Sequence, residues 1–346
     1  MAQDATAFQG SPVTALAFAP NGEQLLTGSQ SGIAVLNWPS LESLQAVSTE
    51  LVNVHDLSFS PDGKWLLAAG GSPGESGIVE MIRWPDTSVR YRYEVGEDLV
   101  VSVAWAPAQK RWVAASATGV VAVFSPSDED HTPAPTLAHA AEPDLFFRGH
   151  SRGVLAALFL PDGDTVVSAG IDQSMQIWKS STGEVLRGLT NHSATINSLA
   201  LKPIVQAGPA LAANLSEHAA HGSAATNVTG ASDKALRKAP DLKTIPLLAS
   251  ASDDRTVRLW QPTIGRMMRF VKLPSAPLNI VWSSHGEWVI AGCEDGHLRV
   301  IESESLQVLS DQPVLPGAIY SLALAPSADH VIVAGVGPVT VVALPQ

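Results

Sequence analysis

One segment of the chain has the spacing of a catalytic motif. Residues 149–153 read GHSRG, which matches the G-x-S-x-G pattern of the serine nucleophile elbow. That pattern is catalytic where a strand turns directly into a helix, because the turn lifts the serine over an oxyanion hole. Residues 154–163, VLAALFLPDG, instead repeat an apolar run and turn found elsewhere in the chain. The sequence therefore predicts a strand after Ser151, and a hydrolase using Ser151 is kept as the alternative reading.

Metal and phosphate chemistry have weaker signals. His218 and His221 in the segment EHAAH are three residues apart, whereas the zincin motif needs two histidines four apart with a glutamate between them. The glycine-rich residues 70–77, GGSPGESG, lack the Lys-Ser/Thr ending of a phosphate-binding loop. We expect no metal and no cofactor.

Composition narrows the class of partner. Lys plus Arg number 21 and Asp plus Glu number 33, which leaves a net charge of -12. Nucleic-acid binding needs clustered cations, so it is disfavoured. The amino terminus lacks the layout of a secretory signal, and no apolar run is long enough to span a membrane. The single cysteine, Cys293, allows no disulfide within the chain. We expect a cytoplasmic protein without a membrane partner.

The chain repeats with a unit of about 41 residues. An apolar run ending in a polar turn recurs seven times, as ALAFAPNG, DLSFSPDG, SVAWAPAQ, ALFLPDG, SLALKP, IVWSSHG and SLALAPS. Two further short runs rich in Val, Leu, Ile and Trp follow in most copies, and a more variable fourth run often completes the unit. Short apolar runs separated by Asn-Gly or Asp-Gly turns are typical of strands joined by hairpins. The pattern predicts an all-β fold, a seven-bladed β-propeller of four-stranded antiparallel blades.

These repeats resemble the WD-repeat β-propellers, in the degenerate form of bacterial members. The fourth and fifth units match best, with RGHSRG and LLASASDDRTVRLW among the matching segments. The resemblance implies a structural tetrad of hydrogen-bonded side chains in each of these two units. Their members are His150, Ser168, Asp172 and Trp178 in the fourth unit, and His192, Ser250, Asp254 and Trp260 in the fifth.

Elsewhere the tetrad pattern decays. The sixth unit keeps Asp295 but has Ala291 and Ile301 at the Ser and Trp positions, and the first and third units have Ser31 and Thr118 at the Asp position. We expect these blades to depend on apolar packing and to be less rigid.

The chain ends indicate how the ring closes. The last unit ends one strand short, and residues 5–8 precede the first unit, so we expect this amino-terminal strand to close the last blade. The whole chain, 1–346, would then be one domain. Two insertions interrupt it, at 125–143 in blade 3 and 204–244 in blade 5, and the meander topology places both on one face.

WD-repeat propellers mostly act as platforms for other proteins, so the resemblance implies a non-catalytic protein-protein interaction scaffold whose partner is a protein. The alternative is a propeller enzyme or small-ligand binder that uses the central channel. The residues expected to contact a partner lie in inter-blade links and second-to-third turns, at the end of the ring that carries the tetrads. They are Asp98, Arg152, Gln173, Arg255 and Glu294.

Overall fold

The structure, a computed structural model, describes residues 11–107, 111–125, 138–139, 142–203 and 246–345. Blades 1 and 2 contain β1 Val13–Phe18, β2 Gln24–Ser29, β3 Gly32–Asn37, β4 Ser43–Val47, β5 Asp56–Phe59, β6 Trp65–Ser72, β7 Ser76–Arg83 and β8 Ser88–Gly96. Blades 3 and 4 contain β9 Val100–Trp105, β10 Trp112–Ser116, β11 Val121–Phe124, β13 Leu145–Phe147, β14 Val154–Phe159, β15 Thr165–Gly170, β16 Met175–Lys179 and β17 Val185–Leu189; a short strand, β12 Ala138–His139, precedes β13. Blades 5 to 7 contain β18 Ile196–Leu201, β19 Leu248–Ser252, β20 Thr256–Gln261, β21 Arg266–Lys272, β22 Pro277–Trp282, β23 Trp288–Cys293, β24 His297–Glu302, β25 Val308–Pro313, β26 Ile319–Leu324, β27 His330–Gly335 and β28 Thr340–Ala343.

The strands form where apolar runs meet tight turns. The turn glycines Gly22, Gly63 and Gly163 have φ of +72°, +69° and +72°, a left-handed conformation that glycine adopts without strain. Helix in the described ranges is confined to one 3-10 turn, Pro262–Ile264. No helix in these ranges has the length and hydropathy needed to cross a bilayer.

The seven sheets close into a ring through their innermost strands. These strands contact one another in cyclic order, β1, β5, β9, β14, β18, β22 and β26, and β1 then contacts β26. Within each sheet the pairs along the meander are antiparallel. The predicted seven-bladed propeller is therefore confirmed. The seventh sheet has three strands in the described ranges, and the expected closing strand at residues 5–8 lies outside them.

The core of the protein lies between blades. The described residues form seven buried apolar clusters, and each joins two neighbouring blades. The cluster that closes the ring packs Leu16 and Leu25 of blade 1 against Ala323 and Ile332 of blade 7. Because every blade buries both of its faces against neighbours, removing apolar area in one blade also weakens the next.

Both expected insertions lie between strands of the propeller. One follows β11 and the other follows β18, and most of their residues lie outside the described ranges. Within the first, Ala138–His139 pairs in parallel with Tyr91 and Arg92 of β8, at the outer edge of blade 2. The insertion of blade 3 thus reaches the edge of its neighbour, which the repeat pattern alone does not indicate.

Candidate functional site

The four tetrad residues of blade 4 form one chain of hydrogen bonds. The indole N–H of Trp178 donates to Ser168 Oγ at 3.1 Å, and Ser168 Oγ lies 2.8 Å from His150 Nε2. On the other side of the imidazole, His150 Nδ1 lies 3.0 Å from Asp172 Oδ2. The consistent assignment has Ser168 donating to Nε2 and the Nδ1–H donating to the carboxylate.

Blade 5 repeats this chain. The distances are 2.8 Å from Trp260 Nε1 to Ser250 Oγ, 2.7 Å from Ser250 Oγ to His192 Nε2, and 2.8 Å from His192 Nδ1 to Asp254 Oδ2. Arg258 adds an ion pair to the same carboxylate, with Nη2 3.1 Å from Asp254 Oδ2.

Burial lowers the pKa of His150 and His192, which keeps both imidazoles neutral near pH 7. Burial also disfavours ionisation of Asp172 and Asp254, but interactions with histidine and neighbouring hydrogen-bond donors outweigh it and hold the pKa of each carboxyl below its usual value. Each tetrad is therefore a neutral histidine donating to an ionised aspartate.

The two aspartates also hold the loops at this end of the ring. Asp172 accepts the backbone N–H of Ser151 in the inter-blade link and of Ser174 in its own turn, both at 3.1 Å. Asp254 likewise accepts the N–H groups of Ser193 and Thr256. Each carboxylate thus ties a second-to-third turn to the neighbouring link.

Ser151 lies on a turn that leads into a strand. β14 begins at Val154, and the Nε2 atom of the adjacent His150 is already bonded to Ser168. The strand-to-helix turn that a nucleophile elbow requires is not formed here.

The other sequence signals for chemistry also acquire structural contexts. Residues 70–77 form a hairpin between β6 and β7 rather than a strand-to-helix turn. His218 and His221 lie outside the described residues. In the part of the chain that is described, no three His, Cys, Asp or Glu side chains cluster as a metal site requires.

The five residues expected to contact a partner occupy the predicted links and turns. Arg152, Gln173, Arg255 and Glu294 are exposed. Asp98 is half-buried, and its Oδ1 accepts the backbone N–H groups of Gly74 at 3.1 Å and Leu99 at 2.8 Å. Its carboxylate is therefore engaged in holding the link between blades 2 and 3.

Blade 6 contains an ion network around a buried arginine, which no predicted motif covers. Arg299 is 2% exposed and pairs with Asp295 at 3.1 and 2.7 Å, while its Nε lies 3.1 Å from Asp311 Oδ2. The expectation that this blade depends on apolar packing is therefore wrong, because a bidentate Arg–carboxylate pair takes the place of the tetrad. The Asp-x-x-x-Arg spacing, shared with Asp254 and Arg258, is the signal that could have found it.

Blade 2 has a network of its own. Glu80 is buried, accepts a hydrogen bond from Thr49 Oγ1 at 2.5 Å, and lies 3.8 Å from Arg92 Nη1. Burial raises the pKa of Glu80, and the contacts with Thr49 and Arg92 partly offset that increase. This blade, too, has a polar centre without a tetrad histidine.

A channel of about 770 Å³ runs through the ring, and most of its lining comes from the innermost strands. Its titratable lining residues are His55, Asp56 and Tyr320. Asp56 Oδ2 accepts the N–H of Val103 from the next blade at 2.8 Å. Ser102 and Ser198, each at the equivalent strand position, also accept an N–H from the next blade. Asp56 thus forms one of a series of hydrogen bonds that join neighbouring blades around the channel.

Replacing Asp56 with serine is expected to stabilise the protein at about pH 8, by about 1–2 kcal/mol. Burial raises the pKa of Asp56 to about 6 from 3.8, so ionisation disfavours the folded state. This penalty is absent below about pH 4 and complete above about pH 6, so the gain should vanish in acid. Urea unfolding across this pH range measures it. Asp56→Ala, which leaves the Val103 N–H without its acceptor, should be less stable than Asp56→Ser, and equal stability of the two variants would contradict the argument.

The closed ring of antiparallel blades defines the class of protein, a β-propeller. The family described as WD domain, G-beta repeat matches residues 4–36, 44–79, 142–179, 218–261 and 275–302, slightly more than half of the chain. The chain belongs to the WD-repeat family.

Three curated proteins are similar to parts of this chain. Autophagy-related protein 16 of Arabidopsis thaliana is 23% identical over 191 residues, which are 54% of this chain and 37% of that protein. Eukaryotic translation initiation factor 3 subunit I of Neurospora crassa is 23% identical over 159 residues, 45% of this chain and 34% of the relative. THO complex subunit 3 of Arabidopsis thaliana is 22% identical over 163 residues, 47% and 41% of the two chains. The matched part is less than half of each relative's length.

Proposed function

We propose that this protein is a non-catalytic, cytoplasmic scaffold that binds a protein partner at the tetrad end of the ring. Two of the similar proteins are named as subunits, one of translation initiation factor 3 and one of the THO complex, which supports a role in assembly. The net charge of -12 favours a protein partner over nucleic acid.

The observation that carries the proposal is the fixed presentation of exposed side chains at this end. Gln173 and Arg255 lie on turns at φ of +64°, and the tetrad aspartates hold these turns against the adjacent links. Arg152, Arg255 and Glu294 form no side-chain hydrogen bond or ion pair with another described residue. The backbone that carries these free charges is already ordered, so binding a partner costs little backbone entropy.

Affinity purification from native lysate tests the proposal. The Arg152→Glu/Arg255→Glu double variant is expected to lose stoichiometric partners that the unaltered protein retains, because charge reversal at an interface places like charges together. Lys64→Glu is the matched control, because this exposed lysine lies at the opposite end of the ring, in a first-to-second turn. Equal recovery of the partners with both variants would contradict binding at the tetrad end.

The channel supports one alternative, a small-ligand binder. His55 Nε2 is buried without a hydrogen-bond partner among the described residues, and Asp56 lies beside it. A hydrolase using Ser151 has less support, because Ser151 is not among the channel-lining residues. If the protein hydrolyses a panel of esters and Ser151→Ala abolishes this activity, the protein is an enzyme and the scaffold proposal is wrong.

A further inference from the structure

The outer strand of blade 5, β21, has a basic edge. Its sequence, RMMRFVK, contains three exposed cations, Arg266, Arg269 and Lys272, and no acidic residue. None of the three forms an ion pair with another described residue. The chain has a net charge of -12, whereas this strand is positively charged.

Large apolar side chains lie between these cations. Phe270 is 55% exposed and Met268 is 39% exposed, and the guanidinium of Arg258 lies 5.4 Å from the Phe270 ring centroid. Met267 and Val271 pack against the buried clusters on either side of blade 5, so the strand is anchored to the ring. Lysine and arginine on an edge strand discourage aggregation, but that role does not require exposed Phe270 and Met268.

β21 also has an open strand edge. It pairs with β20 on one side and ends its sheet on the other. β21 has seven residues, and among the outer strands in the described ranges only β8, with nine residues, is longer. The edge of β8 carries Ala138–His139 as an added parallel strand. An outer blade edge of this protein therefore accepts a further strand.

We propose that β21 is a docking site for an extended acidic segment of a partner protein, which adds to blade 5 as a fifth strand. Backbone hydrogen bonds would hold the segment, as in other strand additions. On one face of the added strand its carboxylates would pair with Arg266 and Arg269, and on the other face an apolar side chain would cover Phe270. This inference rests on the proposed scaffold function and adds a surface at the outer edge of blade 5.

Purified full-length protein and a fluorescent peptide test the site. The probe is a capped peptide of alternating Glu and Val, about ten residues long. Fluorescence anisotropy is expected to show saturable binding, and the bound peptide should slow hydrogen exchange of the β21 amides. Its affinity should decrease in about 0.5 M NaCl. The same peptide with a central proline should bind at least about tenfold more weakly, because proline cannot complete the strand pairing.

Two matched pairs of variants localise the binding. Arg269→Glu and Phe270→Ser should each lower the affinity for the peptide by about tenfold or more. The controls are Arg148→Glu and Phe146→Ser at blade 3, where Arg148 lies 5.5 Å from the ring centroid of Phe146, itself 40% exposed. Those controls should leave binding unchanged, because β13 has only three residues to pair. Melting temperatures identify any variant that has lost its fold.

Equal weakening by both pairs, or full binding of the proline peptide, would overturn the proposal. So would binding of a single-stranded oligonucleotide or of anionic phosphatidylserine vesicles in the absence of peptide binding. The measurement involves no lysate partner, and its variants change neither Arg152 nor Arg255. If Arg152 and Arg255 turn out not to bind a partner, the peptide result at β21 is therefore unaffected. If the peptide does not bind β21, the test of Arg152 and Arg255 is likewise unaffected.

Discussion

Replacing Trp260 with alanine is expected to lower the free energy of unfolding by about 4 kcal/mol. Trp260 is 1% exposed and packs in the cluster between blades 4 and 5, with Leu160 and Ile196 among its members. The substitution opens a cavity between two blades and also removes the donor to Ser250 Oγ. Urea unfolding followed by circular dichroism measures the loss.

Trp260→Phe separates these two contributions. Phenylalanine retains most of the apolar contact and removes the indole N–H, so its cost should be about 1–2 kcal/mol. A cost for Trp260→Ala no larger than that for Trp260→Phe would show that the indole does not hold the two blades together.

Replacing Arg299 with alanine is expected to lower the free energy of unfolding by about 3 kcal/mol, because it removes a fully buried side chain and breaks its charge-assisted hydrogen bonds. The substitution leaves Asp295 and Asp311 without their shared cation and removes a side chain that fills the centre of blade 6. Burial disfavours ionisation of Asp295, but hydrogen bonds from Arg299 and its charge outweigh it and lower the pKa of Asp295 below 3.8. That contribution is present above about pH 4 and is lost in acid, so the difference from the unaltered protein should shrink as the pH falls.

Arg258→Ala in blade 5 is the matched control. Arg258 occupies the same position relative to Asp254, but that carboxylate keeps His192 and Thr256 as donors. The expected cost is about 1 kcal/mol. Equal costs for the two arginine variants would mean that the ion network does not replace the tetrad in blade 6.

The strand pattern was readable from the sequence because strand formation is local. The alternating run at Val154–Phe159 and the Asp162-Gly163 turn after it specify a strand and a hairpin without reference to the rest of the chain. Both tetrads followed from the resemblance to a known repeat, in which the Ser-to-Asp spacing of 4 and the Asp-to-Trp spacing of 6 are the same in the two units.

The Asp295–Arg299 pair has a local spacing signal, but the contacts that complete the polar centres of blades 2 and 6 could not be read in that way. Asp311 reaches Arg299 from the neighbouring strand β25, and Thr49 reaches Glu80 from the link before blade 2. Such contacts depend on strand register and on the distance between segments after folding. The engagement of Asp98 with Gly74, and the pairing of Ala138–His139 with β8, have the same origin.

By itself, then, the amino-acid sequence determined the number of blades, the order of their strands and the end of the ring at which the tetrads lie, because these follow from short repeated segments. Only the tertiary structure decided which charged groups are buried and paired and which edges remain open. Burial and pairing depend on segments distant in the chain, and in a propeller each blade is buried by its neighbours rather than by itself.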